Sequence, residues 1–544
     1  MDFLKRVDVS GITEHFMSDI HGENEAFSHL IRSASGKIRA TIDKLFPDFS
    51  QDDRHSLATL IYYPEQTIER ICSDSDDLSD KLSAMSDVFK ALSSRAIPEP
   101  HGTDKESIIS LAKAIQHCAF DHLHIVGDIY DRGPRPDIIM DELSQIPSLD
   151  IQWGNHDIAW MGAAAGSEIC VANAVRIALR YNCFDMMELG YGIKLDELSE
   201  FAAATYNDDG FDDYKPSCSY ETITEPVDPH LCAQMHKAIS IIQFKLEGQL
   251  AERNPSLGLD HRRRLEKVDL ANGTFEVDGI NYTLRSKDFP TVDFARPYDL
   301  TEQERTIIKN LTRAFRGNEK LRRHMDLLFE KGGVYRIYNG NLLFHGCVPL
   351  TKDGEIASVE LFSKSLRGKE YFDFCDEMTR KAYYLDDSDE GKQDALDFMW
   401  YMWCGDKSPM FGKHRMTTFE RYYTKEEAPR EEIKNAYFKL REKAEIAEKI
   451  LVEFGLNPET GRIINGHTPV KLKKNNESPI KANGKMFVID GGIAKPYRKD
   501  TGVAGFTLIL DSGIFTLCTH ENPVTAKEAI EQDLDYTTSF QIIG

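Results

Sequence analysis

Long hydrophobic runs are missing from this chain of 544 residues. No stretch approaches the roughly 18 consecutive apolar residues of a transmembrane helix, so a membrane span is excluded. Residues 1–10 mix charged and apolar side chains and contain no apolar h-region, so we expect no signal peptide.

Closely spaced cysteines are also missing. The ten cysteines are scattered and no two form a CxxC pair, which argues against a zinc ribbon or a disulfide framework. We interpret them as small buried apolar residues in a reducing compartment and expect a cytoplasmic protein.

Positive charge is scarce as well. The 66 lysines and arginines are outnumbered by 89 acidic residues, giving a net charge of −23. Nucleic acids and anionic membranes attract a positive surface, so we expect neither as a partner. A small anionic substrate stays compatible, because a metal ion or a local basic pocket can invert the local field.

The pattern of apolar residues predicts an α/β protein with large helical insertions. Short strand-like runs end in unusual polar residues, and long amphipathic stretches separate them. The predicted strands after the first run (12–20) are 122–126, 149–153, 334–337, 341–344, 462–464, 486–489 and 505–510. The predicted helical regions are 24–45, 57–118, 158–331 with an irregular middle at 207–229, and 430–454.

Three polar blocks follow predicted strands, where open α/β sheets bind their ligands. They are Asp19-x-His21-Gly22, Gly127-Asp128-x-x-Asp131-Arg132-Gly133 and Gly154-Asn155-His156-Asp157. Any one of them alone is more often a structural cap. Their joint occurrence after successive strands favours a single site that binds a metal ion.

Two later histidines, His345 and His467, also follow apolar strands and stand beside glycines. An isolated histidine is usually a satisfied core or surface group. Here the earlier blocks leave a metal site short of nitrogen ligands, which favours these two. His520 is kept as a minor alternative.

The ligand types indicate the metal class. Carboxylates, an amide oxygen and imidazoles suit Mn, Fe or Zn better than an all-oxygen Ca or Mg cage. The set is too large for one tetrahedral ion and suits two ions about 3.5–4 Å apart. Such a pair yields a bridging hydroxide at neutral pH and neutralises charge on a transferring phosphoryl group.

Together these motifs resemble the calcineurin-like metallophosphoesterase superfamily. The resemblance implies a β-sandwich core flanked by helices, with one metal on Asp19, His21 and Asp128. The second metal would be bound by Asp128, which bridges, and by Asn155, His345 and His467. His156, oriented by Asp131, would stabilise or protonate the leaving oxygen, and Arg132 would bind the phosphate as a bidentate donor. Asp157 stands where many relatives carry Glu, so its role is left open.

Spacing separates this chain from compact protein phosphatases. Asp128 follows Asp19 by 109 residues (128 − 19), and His345 follows His156 by 189 (345 − 156). We expect a core of residues 1–25, 118–165 and 334–525, helical insertions at 26–117 and 166–333 that build around the site mouth, and a C-terminal tail at 526–544. A walled pocket favours a small metabolite over a protein surface.

The insertions and the segment 403–413 resemble the class III fructose-1,6-bisphosphatases of bacteria. The resemblance implies hydrolysis of the 1-phosphate of fructose 1,6-bisphosphate to fructose 6-phosphate and phosphate, in gluconeogenesis, with two Mn²⁺ ions. The expected partner is this sugar bisphosphate, and homo-oligomer formation stays open. A dinucleoside tetraphosphate hydrolase or a protein phosphatase is the alternative, against which the insertions speak. A non-catalytic scaffold would have lost a ligand or His156, and none is lost.

A bisphosphate needs cations for its second phosphate. Candidates near the motifs are Lys413, Lys471 with Lys473 and Lys474, Lys495 and Arg498, in addition to Arg132. The basic run 261–264 is interpreted as a solvated helix face.

Overall fold

The computed structural model describes residues 12–72, 75–93, 103–206, 212–217 and 228–543. The expectation for residues 1–10, and most of the irregular middle expected at 207–229, lie outside the described residues. The strands are β1 (Thr13–Met17), β2 (His122–Ile125), β3 (Leu149–Gln152), β4 (Val268–Asp269), β5 (Thr274–Val277), β6 (Ile280–Thr283), β7 (Gly332–Gly333), β8 (Tyr335–Tyr338), β9 (Asn341–Phe344), β10 (Ser358–Leu361), β11 (Lys364–Arg367), β12 (Ile463–Asn465), β13 (Ile480–Lys481), β14 (Met486–Val488), β15 (Gly505–Asp511), β16 (Ile514–Glu521) and β17 (Thr537–Ile543).

The α-helices are more numerous than the predicted helical regions. They are α1 (Asn24–Arg32), α2 (Lys37–Leu45), α3 (Gln51–Tyr62), α4 (Pro64–Ile71), α5 (Ser75–Leu92), α6 (Asp104–Cys118), α7 (Pro136–Leu143), α8 (Asn155–Ala165), α9 (Glu168–Tyr181), α10 (Asp196–Thr205), α11 (Pro229–Arg253), α12 (Glu302–Arg316), α13 (Glu319–Lys331), α14 (Gly368–Tyr384), α15 (Lys392–Cys404), α16 (Phe419–Tyr423), α17 (Tyr437–Leu440), α18 (Ala444–Glu453), α19 (Leu472–Asn475), α20 (Arg498–Thr501) and α21 (Ala526–Gln532). The helix expected over 24–45 is divided where Ala34, Ser35 and Gly36 take positive φ.

The larger sheet has seven strands in the order β17-β16-β15-β1-β2-β3-β7. Strands β1, β2, β3 and β7 run parallel, and β15 pairs antiparallel with β1. The smaller sheet has five strands in the order β13-β14-β12-β9-β8, with β9, β12 and β14 parallel. The predicted site residues therefore follow β1, β2 and β3 in one sheet and β9 and β12 in the other.

The two sheets share an apolar core. Phe16 and Leu508 of the larger sheet belong to the same buried cluster as Leu343, Ile464 and Phe487 of the smaller one. Burial of apolar side chains between the sheets is the main force that fixes their relative position. The strand ends that carry the polar motifs are thereby held on a rigid base.

The described helices of residues 26–117, predicted as the first insertion, have a core of their own. Helices α2 to α6 contribute to it, with Ile38, Leu60 and Met85 fully buried. Ala529 of α21 packs into the same cluster. The C-terminal end of the chain therefore contacts the first insertion.

Residues 526–543 are not a tail but complete the larger sheet, which corrects the expectation for this end of the chain. Strand β17 pairs with β16 along its whole length. In the preceding turn, Asp533 forms an ion pair with Arg70 at 2.6 Å, and Asp535 accepts from His29 at 2.8 Å. These contacts join the first insertion to the sheet.

The described part of residues 166–333, predicted as the second insertion, is mainly helical but also contains the three-stranded antiparallel sheet β4-β5-β6. Helix α11 is buried on nearly every side, which is typical of a helix at the centre of a large domain. In the part of the chain that the structure describes, no helix has the length and apolar character needed to cross a membrane. The described cysteines form no disulfides.

Candidate metal centre

Left-handed backbone shapes the turns that carry the predicted ligands. Asp19 and His21 have φ of +53° and +48°, and Asp128 has +57°. The amides of Asp19 and His21 donate to the carbonyls of Gly127 and Asp128, both at 2.9 Å. Such conformations cost about 1–3 kcal/mol each and persist where the surroundings impose them, commonly at functional sites. The ends of β1 and β2 are thus joined in a strained double turn.

Two glycines let these turns approach the other blocks. A Cβ at Gly127, whose φ is +86°, would collide with the imidazole of His345. A Cβ at Gly154 would collide with the carboxylate of Asp128. No other residue type fits at either position without moving a predicted ligand.

The carboxylate of Asp128 lies at the middle of the group. Its Oδ2 is 3.7 Å from Nε2 of His21 and 3.3 Å from Nε2 of His345. Its Oδ1 accepts from the backbone amide of His156 at 3.0 Å. Asp19 approaches from the side, with Oδ1 3.9 Å from Nε2 of His21 and Oδ2 accepting from the amide of His467 at 3.0 Å.

Three imidazoles share one arrangement, in which one ring nitrogen is bonded to a backbone carbonyl and the other faces the Asp128 carboxylate or the Asn155 amide oxygen. The bonded pairs are Nδ1 of His21 with Tyr130 O (3.1 Å), Nδ1 of His345 with Val126 O (2.8 Å) and Nε2 of His467 with Phe411 O (3.1 Å). Metal-ligating histidines are oriented in this way, because the outer hydrogen bond fixes the tautomer.

The ring nitrogens that face the centre are better placed to bind a metal ion than to form hydrogen bonds with neighbouring side chains. Nε2 of His345 is buried and has no hydrogen-bond partner among the described residues. Nδ1 of His467 is 3.1 Å from Oδ1 of Asn155. Asp128 belongs to two groups whose donor atoms lie close enough for one ion, one with His21 and His156 and one with His345 and His467. The donor set is therefore suited to divalent cations.

The carboxylates and imidazoles of the centre shift one another's pKa. Burial opposes ionisation of Asp128, but His345 and His156 outweigh it and hold its pKa well below the usual range. Burial also opposes protonation of His345, yet the Asp128 and Asp19 carboxylates raise its pKa to about 10. A proton on His345 thus balances the carboxylates, and a cation between them would replace it.

His156 has a different environment from the three imidazoles above. Its Nδ1 is 2.7 Å from Oδ2 of Asp131, and its Nε2 accepts from Nη2 of Arg132 at 2.9 Å. Asp131 is itself fixed by the indole N–H of Trp160 at 2.7 Å. An imidazole oriented by a carboxylate in this way suits proton transfer.

Asp157, whose role the sequence left open, braces the second block. Its carboxylate accepts backbone amides of Asp128, Ile129 and Gly154 at 2.8 to 2.9 Å and of Tyr130 at 3.2 Å. Burial, reinforced by the Asp128 charge, raises the pKa of Asp157 to about 7. The shorter aspartate thus reaches all four amides and holds the Asp128 turn in place.

The centre opens into a cavity of about 530 Å³. The cations that line it are Arg132, Arg176, Arg180, Lys413, Arg421, Lys434 and Lys471. Among the lining residues that the structure describes, none comes from the first insertion (26–117), so the expectation that both insertions build around the site mouth is wrong for this one.

The predicted cations for a second phosphate divide into two groups. Lys413 and Lys471 line the cavity. Lys473, Lys474, Lys495 and Arg498 are not among its lining residues, so their role in binding a second phosphate stays a prediction. Arg498 is turned aside, where Nη2 donates to the Ile493 carbonyl at 2.8 Å.

His520, the minor alternative ligand, lies within the larger sheet. It is buried, with Nε2 3.0 Å from the Thr507 hydroxyl and Nδ1 3.1 Å from that of Thr538. It has no contact with the centre and serves the packing of β15, β16 and β17.

Sequence reasoning missed Asp490. This buried carboxylate lines the cavity just after β14, and burial together with Asp19 raises its pKa well above the usual range. Its signal was available, because Ile489-Asp490-Gly491 repeats the strand-then-polar pattern of the other blocks.

Buried carboxylates and imidazoles at strand ends, opening into a cavity lined by arginines and lysines, define a phosphoester hydrolase whose site suits metal ions. Comparison with known sequences gives the family. A family model described as Firmicute fructose-1,6-bisphosphatase matches residues 6–99 and 96–544. The chain belongs to this family, which confirms its resemblance to the class III fructose-1,6-bisphosphatases.

Individual relatives agree. The class 3 fructose-1,6-bisphosphatases of Clostridium tetani and Clostridium novyi are each 43% identical to this chain. The aligned region covers 98% of this chain and 87% and 86% of the two relatives, respectively. That of Clostridioides difficile is 41% identical over 98% of this chain and 87% of its own. A solved protein-tyrosine phosphatase of a psychrophilic Shewanella aligns at 11% identity with a TM-score of 0.30, too low to define a common fold.

Proposed function

We propose that the protein hydrolyses the 1-phosphate of fructose 1,6-bisphosphate to fructose 6-phosphate and phosphate. One observation carries the proposal: three imidazoles anchored on backbone carbonyls face Asp128 and Asn155 at the mouth of a cationic cavity. Family membership supplies the substrate, since the relatives are named for it. Neither a dinucleoside tetraphosphate hydrolase nor a protein phosphatase is favoured by these relatives.

The proposed cofactor is a pair of Mn²⁺ ions. Asp19, His21 and Asp128 would hold one ion, and Asp128, Asn155, His345 and His467 the other. Bound divalent cations supply a water of lowered pKa and neutralise phosphoryl charge. Support comes from Nε2 of His345, which is buried without a hydrogen bond, and from a donor set without thiolates, which suits manganese.

The protein's own groups position the ester and move the proton. Arg132 presents its guanidinium beside His156 and would grip the phosphoryl oxygens. Asp131 holds the His156 ring through Nδ1. Nε2, which accepts from Arg132 in this structure, would have to take up a proton before delivering it to the departing sugar oxygen. The Trp403 ring packs edge-on against the His156 ring, with 4.9 Å between the ring centres, and limits the movement of the imidazole.

The fold that we propose is a calcineurin-like metallophosphoesterase core of two sheets with helical insertions. The shared core of the sheets and the position of the polar blocks at their strand ends support it. The second insertion walls the cavity through α9, which favours a small substrate over a protein surface. As a gluconeogenic enzyme it would act in the cytoplasm.

A substrate panel tests the function. Purified protein loaded with Mn²⁺ is assayed against fructose 1,6-bisphosphate, a dinucleoside tetraphosphate, a phosphopeptide and an aryl phosphate, with metal-stripped protein as the control. We expect kcat/KM for the bisphosphate to exceed the others and to vanish without metal. Equal turnover of bisphosphate and aryl phosphate would sink the proposal.

A further inference from the structure

Arg176 on α9 is a buried cation without an anion. It is only 6% exposed. Its guanidinium donates to three neutral acceptors: Gln243 Oε1 at 2.7 Å, Asn173 Oδ1 at 2.7 Å and the Tyr422 hydroxyl at 3.1 Å. No carboxylate of the described residues forms an ion pair with it. Because a guanidinium does not deprotonate in proteins, its charge is buried uncompensated.

Arg180 is a second arginine of α9, one helical turn after Arg176. Residues four apart lie on the same helix face, and both arginines line the cavity that contains the metal centre. Across the described residues, Arg180 forms no ion pair with a carboxylate either. The positive field of the pair is evident at Tyr422: burial opposes ionisation of this phenol, yet Arg176 and Arg180 hold its pKa below the usual value.

Three other cations of the cavity already have partners or solvent. Lys413 and Arg421 share Glu432, at 2.7 Å and 3.2 Å. Lys434 is exposed, and its ammonium lies 5.3 Å from the centre of the Phe438 ring. Water can solvate an exposed ammonium fully, whereas Arg176 has only 6% of its surface exposed to solvent.

We infer that Arg176 and Arg180 form the subsite for the phosphate of the sugar bisphosphate that is not hydrolysed. Planar guanidinium groups bind phosphate through paired hydrogen bonds, and the anion would supply the charge that both arginines lack. Arg132 stays with the phosphate at the metal centre, next to His156. The assignment rests on the proposed function, because only a sugar bisphosphate brings a second phosphate to the site.

The experiment compares two substrates across variants. Arg180→Gln and the conservative Arg176→Lys are assayed on fructose 1,6-bisphosphate and on an aryl phosphate, with Mn²⁺ bound. We expect the ratio of kcat/KM for the bisphosphate to that for the aryl phosphate to fall about 10- to 100-fold, mainly through KM, since hydrogen bonds to charged groups are involved. Arg180→Lys should fall less than Arg180→Gln, because it retains the charge.

Two controls give the result its meaning. Arg323→Gln removes an exposed arginine on α13 and should leave the ratio unchanged. Lys434→Gln tests a different cation of the same cavity. If the arginine variants keep the wild-type ratio, or if Lys434→Gln alone collapses it, the assignment is overturned while the proposed function stands. If wild-type protein itself shows no preference for the bisphosphate, the function fails and the subsite with it.

Discussion

Two buried clusters of carboxylates and histidines in this protein have nearly the same composition. One is the centre around Asp128. The other lies in the larger sheet and consists of Glu14, His122, His124 and Asp150, which we call the sheet cluster. The donor atoms of His122, His124 and Asp150 lie close enough together for one ion, as do those of two groups in the centre. Composition and proximity alone therefore do not separate a candidate metal site from a structural network.

The sheet cluster is closed on itself. Strand register sets Glu14 opposite His122 and His124 opposite Asp150. Both nitrogens of His124 have carboxylate partners, Asp150 at 2.9 Å and Glu14 at 3.3 Å, and His122 is shared between Asp150 at 3.0 Å and Ser148 at 2.7 Å. A metal ion would have to break hydrogen bonds that already satisfy every ring nitrogen.

In the centre around Asp128, by contrast, the hydrogen bonds do not satisfy every ring nitrogen. The inward nitrogens of His21 and His345 stand 3.3 to 3.9 Å from the carboxylates of Asp19 and Asp128, and that of His345 makes no hydrogen bond. Buried polar groups are normally satisfied, so the unsatisfied Nε2 of His345 indicates a missing ligand. What distinguishes the clusters is where their hydrogen bonds go.

The largest effect should come from Asp128→Asn. Loss of the central charge removes a ligand common to both proposed ions, so we expect turnover to fall below detection and bound manganese to fall with it. Activity assays and metal analysis of the purified variant check this. The matched control is Asp150→Asn in the sheet cluster, which should keep its metal; an active, fully metallated Asp128→Asn would reverse our distinction between the clusters.

Next in size is His156→Ala. This imidazole is oriented by Asp131 and bonded to Arg132 rather than turned toward the carboxylates by a backbone carbonyl. We expect turnover to fall by about 10²–10⁴-fold, the usual contribution of a general acid, while the metal content stays unchanged. Loss of metal in this variant would instead make His156 a ligand of the group that it shares with His21 and Asp128.

Much of the centre could be predicted because its signals are local. Asp19, Asp128 and Asn155 each follow an apolar run by one or two residues, and a strand end is where a parallel sheet exposes its ligands. The left-handed turns at these residues carry no signal in the sequence, since tertiary hydrogen bonds impose them.

The sequence did not predict features that depend on partners far away along the chain. Arg176 stands in the apolar helix α9, and only Gln243 and Tyr422, far away in sequence, explain its burial. The run 261–264, interpreted as solvated, contains Arg262 and Arg264, which are buried on Glu247 and Glu420.

The helix predicted over 430–454 is shorter than expected. It survives only as α17 and α18. Glu432 is drawn away to bind Lys413 and the amide of Thr417, and such contacts outweigh local helix propensity.

A smaller effect, on stability rather than activity, is expected for His124→Ala. The substitution leaves Glu14 and Asp150 buried without the imidazole between them, and breaking a buried pair typically costs about 3–5 kcal/mol. Denaturant unfolding should show this loss, whereas kcat and metal content per folded molecule stay at the wild-type level. A His124→Ala protein of full stability, or one without metal, would contradict a purely structural cluster.

The smallest effect is the pH dependence of that contribution. Burial disfavours the charged imidazole, but hydrogen bonds to Asp150 and Glu14 more than compensate and raise the pKa of His124. A group whose pKa is higher in the folded than in the unfolded state stabilises fully below its unfolded pKa, about 6.5, and loses that stabilisation as pH rises through the folded value. Each unit of difference is worth about 1.4 kcal/mol.

The measurement that isolates this contribution is the difference in unfolding free energy between wild type and His124→Ala, taken at several values of pH with Mn²⁺ present throughout. Titration of the metal centre is common to both proteins and cancels. The difference should be largest near pH 6 and shrink toward pH 9, because the unfolded chain then no longer binds the proton that the folded cluster retains. A difference that is constant over this range would mean that His124 is neutral in the sheet, joined to its carboxylates by hydrogen bonds alone.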